Sequence, residues 1–329
     1  MTSRTADGRT TLGRTRIGPS PRLLLLCALP LAFLILAIVV DQFWRQQNAL
    51  LADLDKLTNE QHHTLATLTA ETDQQLARMR LTMEDGIHFS TGLSKDQAGA
   101  LGSVTVRLKS GDVRGLEWQP GARNVAFGTL FGIPGLAARP ASEIGPVDAA
   151  VDLLGTLQID KQAGSRAHWS YFISAQADFV AIHPGLSLQA IANGAEPGRP
   201  IDDVNQLVAS WLKKDVYRLG TPAEDASREA YWTGVYQDAA GAGLVVSHAA
   251  PVYVNDRFYG VVGTDILVES FDAVIAHVTQ PIGMVAIIDE QGDILSVNGR
   301  AFAGDRPRMA AYLSENRLLN PQVEENVKV

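Results

Sequence analysis

Asp265 is the residue whose setting most clearly asks for chemistry. It stands in Phe258–Val268, a run that alternates as a strand. Val262, Thr264, Ile266 and Val268 fall on one face, and Val261, Gly263, Asp265 and Leu267 on the other. An acid on a largely apolar face, two residues from a glycine, marks a pocket more than a solvated edge. A carboxylate buried there alone is costly, so it calls for a partner or a cationic ligand. Upstream, Tyr231–Gln237 reads as another strand, with Trp232 and Tyr236 on one face at i, i+4 and Asp238 next on that face. Apolar walls with a few placed polar groups are the composition of a small-molecule site. Arg228 is able to clamp a carboxylate bidentately, and Tyr171 adds a ring from an earlier strand. The candidate ligand-binding residues are therefore Asp265, Arg228, Trp232, Tyr236, Asp238 and Tyr171. The ligand class is an amino acid, an amine or a carboxylate.

Each of these residues also has a plainer role open to it. Asp265 would serve to cap a turn or pair with a surface lysine, and Arg228 as a surface charge. Trp232, Tyr236 and Tyr171 would serve as core, and Asp238 as the start of the turn DAAGAG. His248, among Val246 and Ala250 on one strand face, fits a satisfied structural histidine better than a pH sensor.

Catalytic patterns are missing from the sequence. It contains no GxSxG elbow, HExxH pair, phosphate-binding GxxxxGK[ST] loop or kinase motif set. Its seven histidines show no metal-ligand spacing with acids. The expectation is a non-enzymatic chain with no catalytic residues, no metal and no cofactor. Net charge is −8, which disfavours nucleic acid as a partner. The single cysteine, Cys27, permits neither an internal disulfide nor a thiolate metal site.

The elements that must hold the candidates are legible in order. Trp169–Ser174, the turn AQAD and Phe179–His183 form a hairpin. Helical segments follow near Leu186–Ala192 and Val204–Lys214. Three antiparallel strands come next: Tyr231–Gln237, Leu244–Tyr253 and Phe258–Val268. This order suits a five-stranded sheet with helices on one face and a pocket between sheet and helices. Phe271–Val278 reads as a linking helix, and MVAIIDEQGDILSVNG then repeats the strand, turn, strand arrangement. Helix Arg308–Glu315 follows, and the closing strands of that second lobe are missing. Between 84 and 160 the reading is coarse. It gives a short helix at Ser94–Leu101, a strand at Ser103–Leu108, an irregular Gly/Pro-rich stretch and a helix at Val147–Leu157.

The N-terminal part reads as an anchor. Residues 1–22 carry five arginines against one acid and form a basic cytoplasmic tail. Leu23–Val40 is eighteen residues without a charge and is expected to be a transmembrane helix. The arginine excess places the N-terminus inside and the bulk outside. Residues 41–83 are a long stalk helix with a weak heptad seam of Phe43, Leu50, Leu54, Leu57, Leu65, Leu68, Met79 and Met83. The seam suits a homodimer, or a scaffold helix packed along its own domain. The expected fold is thus α+β, with a first lobe over 84–278 and a truncated second lobe over 279–329.

Over roughly residues 41–300 the chain resembles the extracytoplasmic double-Cache (tandem PAS-like) sensor region of bacterial membrane receptors. Those receptors include diguanylate cyclases, histidine kinases and chemoreceptors. The resemblance is carried by WSYFISAQADFVAIHP, REAYWTGVYQDAAGAGLVVSHAAPVY and FYGVVGTDILV. It implies a receptor that binds a small molecule in its membrane-distal lobe, shifts the long helix and drives a cytoplasmic output domain, a diguanylate cyclase or kinase, not present in the chain. In amino-acid-binding members an arginine and aromatic residues meet the ligand carboxylate, and an aspartate near the end of the last strand meets the ammonium. Asp265 stands at the matching terminal-strand position, with Arg228, Trp232 and Tyr236 near the matching region. The spacing Arg228-Glu-Ala-Tyr231-Trp232 departs from the family's tighter arginine-x-Trp-Tyr. The alternative, from another class, is a ligand-free, membrane-tethered interaction protein complete at residue 329.

Overall fold

Strand alternation builds a sheet with two dissimilar faces, and those faces decide where a site forms. The structure, a computed structural model, describes residues 21–92, 101–108, 111–118, 128–132, 141–176, 178–187, 204–238, 241–275, 286–288, 292, 294–297 and 300–301. The chain divides into two compact units, Met1–Glu60 and Gln61–Val329, and the sheet lies in the second. Strands β1 (Leu101–Leu108), β2 (Gly111–Trp118), β3 (Thr129–Gly132), β4 (Trp169–Ser174) and β5 (Phe179–His183) come first. They are followed by β6 (Tyr231–Trp232), β7 (Tyr236–Gln237), β8 (Leu244–Val254) and β9 (Arg257–Leu267). Their order is β1-β2-β3-β5-β4-β9-β8-β6, with β7 also on β8. Neighbours are antiparallel throughout. The sheet is therefore wider than the five strands read from the sequence. β3 comes from the stretch read as irregular.

One face is covered by the long helices α1 (Pro21–Phe89) and α2 (Ala141–Gln162). Met79 and Met83 of α1 and Val147, Leu153, Leu154 and Leu157 of α2 pack on Phe172, Phe179, Ala250 and Val262. Each such side chain, fully buried, contributes about 1.5–3 kcal/mol. The seam residues Leu68, Met79 and Met83 are thus spent within their own lobe. The other face is covered by α3 (Val204–Trp211), α4 (Asp215–Arg218) and the segments around them. There Val208, Val216 and Tyr217 meet Tyr171, Ile173, Val180, Ile182, Ala249 and Val261. The sheet is covered on both sides, not on one.

The hairpin β4–β5 matches its sequence bounds residue for residue. Its turn is held by Ser174, whose hydroxyl donates to the Asp178 carboxylate and accepts the N–H groups of Asp178 and Phe179. After β9 the chain enters α5 (Val268–Ile275). A separate antiparallel sheet follows, of β10 (Ala286–Ile288), β11 (Ile294–Val297) and β12 (Arg300–Ala301). Ile287 packs beside Leu68, Val246, Ile266 and Phe271. The helices expected at Ser94–Leu101 and Arg308–Glu315 lie largely or wholly outside the described residues.

The transmembrane helix expected at 23–40 is overturned. Among the described residues no helix is long and apolar enough to cross a membrane.

Candidate functional site

Asp265 is placed on the sheet face away from α1 and α2, as its alternation requires. It is 4 % exposed. It borders a cavity of about 60 Å³, set within about 550 Å³ of atom-free space that includes the open mouth. The walls come from β4 (Trp169, Tyr171, Ile173), β5 (Val180, Ile182) and the covering segments (Leu186, Trp211, Val216). Tyr236 and Asp238 close one side, and Lys214 lies among the lining residues. A water molecule needs roughly 10–15 Å³ on the same measure, so the cavity accepts a molecule several times that size.

The carboxylate of Asp265 is held asymmetrically. Its Oδ1 accepts the Tyr171 hydroxyl at 2.6 Å, the Ser247 hydroxyl at 2.6 Å and, more distantly, the Tyr236 hydroxyl at 3.4 Å. Tyr236 and Ser247 are themselves 2.6 Å apart, so a proton relay Tyr236 to Ser247 to Asp265 satisfies each hydroxyl. Oδ2 receives no hydrogen bond among the described residues. Burial pushes the Asp265 carboxyl up to about 6, with the Ser247 and Tyr171 hydrogen bonds pulling it down and the Asp238 charge adding to the rise. Burial, then the Asp265 charge, pushes the Tyr171 and Tyr236 phenols well above their usual range, so both remain donors. Tyr171 reaches Asp265 because it crosses β9 at Gly263, where a Cβ would lie 2.7 Å from its ring.

Ser247 was not legible as a site residue, and the reason is a register shift. The turn between β8 and β9 has Asn255 at φ 51 and Asp256 at φ 62, the left-handed pair a two-residue hairpin requires. Counting back from Val254 opposite Arg257 would set Ser247 against Thr264. A bulge at Val252/Tyr253 adds one residue and sets Ser247 against Asp265 instead.

A second bulge decides Trp232 and Tyr236. Tyr231–Gln237 is not one strand: β6 and β7 are separated by Thr233, Gly234 and Val235, which stand opposite only Val246 and Ser247. The extra residue reverses which face follows. Trp232 pairs with His248 and stacks on its ring at 4.3 Å, on the helix side. Tyr236 pairs with Val245 and enters the cavity. The two do not share a face.

Asp238 takes both roles considered for it. Its Oδ2 accepts the Ala242 N–H at 2.9 Å across the turn and the Trp169 indole N–H at 3.3 Å, and it lines the cavity. Arg228 lies elsewhere. With φ at 60 it turns toward the β8–β9 hairpin, ion-pairs with Asp256 at 2.8 Å and lies over the Tyr253 ring at 4.2 Å. The structure thus brings Asp265, Tyr171, Tyr236 and Asp238 together and leaves Arg228 and Trp232 out. Trp169, at i−2 from Tyr171, was available from alternation alone. Lys214, whose Nζ is 5.5 Å from the Tyr236 ring centre, had no sequence signal.

No protein-family model matches the chain, and no curated protein does. Solved structures similar to it are ligand-binding domains of bacterial chemoreceptors. One is that of the Pseudomonas fluorescens chemoreceptor CtaA in complex with L-serine: 20 % identity, 44 % of this chain, 53 % of that one, TM-score 0.30. Another is that of the Pseudomonas aeruginosa amino acid chemoreceptor PctC in complex with GABA: 18 % identity, 42 % of this chain, 55 % of that one, TM-score 0.29. A third is that of Campylobacter jejuni Tlp3 in complex with L-norvaline: 16 % identity, 52 % of each chain, TM-score 0.30. The chain spans about half the length of these domains. Chemoreceptors are among the receptor types the sequence resembles. Likenesses this distant carry no argument about what the cavity holds.

Proposed function

We propose that the lobe is a sensor module that binds a small ammonium-bearing molecule, an amine or an amino acid, beneath α3 and α4. The observation that carries this is the Asp265 carboxylate, with Oδ1 closed by hydroxyls and Oδ2 left open beside aromatic walls. An ammonium supplies both the donor and the charge that a buried carboxylate lacks. The Trp169, Tyr171, Trp211 and Tyr236 side chains offer ring surface to the same cation. Two acids against one lysine give the lining a net negative charge. Lys214 is the group suited to a ligand carboxylate, in place of Arg228.

In this reading occupancy is relayed through α1 to an output domain of the cyclase or kinase type. Gln75 of α1 donates to Ser170 at 2.9 Å, directly behind the cavity strands, and gives the helix a hold on them. The lobe works outside the cytoplasm, and the receptor as a homodimer.

The test is calorimetric titration of the purified chain with L-valine, isobutylamine and isovalerate, which share one branched four-carbon framework and differ in carrying both charged groups, the ammonium alone or the carboxylate alone. L-Valine and isobutylamine should bind and isovalerate should not. Binding of isovalerate alone would refute the reading.

A further inference from the structure

His248 is buried on the opposite sheet face from the cavity, at 4 % exposure. Its ring lies flat on Trp232 of β6, with centres 4.3 Å apart and planes 5° apart. Its Nδ1 is buried and has no hydrogen-bond partner among the described residues. A buried nitrogen left unsatisfied is destabilising, so a sequence that keeps one there invites an explanation. Asp73 Oδ1 on α1 lies 3.4 Å from Nδ1, within ion-pair reach but outside hydrogen-bond geometry. Asp73 itself is 61 % exposed. β6 presents Trp232 and β9 presents Thr264, and neither carries a charge. Asp73 is therefore the described titratable group that faces the ring.

We propose that His248 and Asp73 form a proton-operated clasp between β8 and α1. With the imidazole neutral, the clasp is open: Nδ1 is idle and Asp73 faces solvent. Acidification puts a proton on the ring. The cation is then held between the Trp232 face and the Asp73 carboxylate, which closes onto it. Burial keeps the imidazole below the usual histidine range, and Asp73 opposes that shift, so neutral pH finds the clasp open. The device bears on α1 at a point near Gln75, where the helix also touches the strands behind the cavity. A proton is thus a second input to the same helix, independent of what the cavity binds.

The test follows tryptophan fluorescence of the full chain from pH 8 to pH 4.5, because an imidazolium stacked on an indole quenches it. It is run in a His168→Gln, Asp265→Asn background, which removes titrating groups beside Trp169. That background should show a quenching step below the usual histidine range, about pH 6.5. Asp73→Asn, on an exposed side chain that leaves the fold intact, should move the midpoint down by about half a pH unit. His248→Gln and Trp232→Phe should each remove the step. A step unchanged in Asp73→Asn would overturn the clasp, and so would one that persists in His248→Gln.

Discussion

The two faces of the sheet use polar groups in opposite ways. On the helix face, around Gln75, they are closed upon each other. Gln75 donates to Ser170 and accepts from Ser165, and Ser170 lies 3.1 Å from the Thr264 hydroxyl. Those bonds fix α1 on β4 and β9 and leave little for a ligand. On the cavity face Asp265 is closed on one oxygen and open on the other, between aromatic walls. Two adjacent β9 residues, Thr264 and Asp265, are separated only by the strand's alternation, yet one is bonded into the core and the other borders the cavity. The difference lies in whether the hydrogen-bonding capacity is used up.

Substitutions on each face should therefore separate stability from binding. The largest effect expected is from Phe172→Ala on the helix face. Phe172 is fully buried, with its ring centre 5.7 Å from that of Phe179. Truncation should cost about 3–5 kcal/mol in denaturant unfolding. Asp265→Ala should cost about 2–5 kcal/mol of binding free energy for an ammonium ligand, read by calorimetry, with the fold retained. A loss of binding in the first and of folding in the second would reverse the assignment of the faces.

The pH dependence of stability sharpens the same contrast. Folding raises the Asp265 carboxyl from 3.8 to about 6, so its contribution is complete below the lower value and is lost as pH rises through the upper. That loss is roughly 3 kcal/mol between acid and neutral solution. Asp265→Asn should flatten this slope in unfolding curves taken across that range. His248 acts with the opposite sign. Its folded value is lowered, so its contribution is present above the ordinary histidine range and is lost on acidification. A slope unchanged in Asp265→Asn would mean that the acid is solvated.

Smaller effects follow at the margins of each face. Gln75→Leu should destabilise by about 1–3 kcal/mol, because Ser165 and Ser170 lose their partner. Affinity for L-valine should hold. Lys214→Met should remove about 0.2–1 kcal/mol from L-valine binding and leave isobutylamine unchanged.

Much of this contrast was legible in the sequence, because alternation is a local property. The face of Asp265 followed from Phe258–Val268 alone, and β4 and β5 from their β-branched and aromatic runs. What escaped depended on single inserted residues. The bulge across Thr233–Val235 turned Trp232 to the helix side, and the one at Val252/Tyr253 brought Ser247 to Asp265. A bulge shifts every later side chain without leaving a compositional mark. Arg228 was misplaced because its left-handed backbone is set by Asp225, which accepts its N–H, and by Asp256. Lys214 sits at the start of a four-residue helix, where no periodicity points inward. Of the weak heptad seam on α1, Met79 and Met83 are covered by the sheet and helix of the same lobe, which periodicity along α1 alone does not reveal.

The central claim is that an ionised Asp265 receives an ammonium group, and its most direct measurement is the affinity for isobutylamine at pH 7 and at pH 5. With the carboxyl at about 6, only about a tenth of it is ionised at the lower pH, so the affinity should fall about tenfold. In Asp265→Asn binding should be lost at both values. An affinity that is the same at the two pH values, or that survives in Asp265→Asn, would contradict the account.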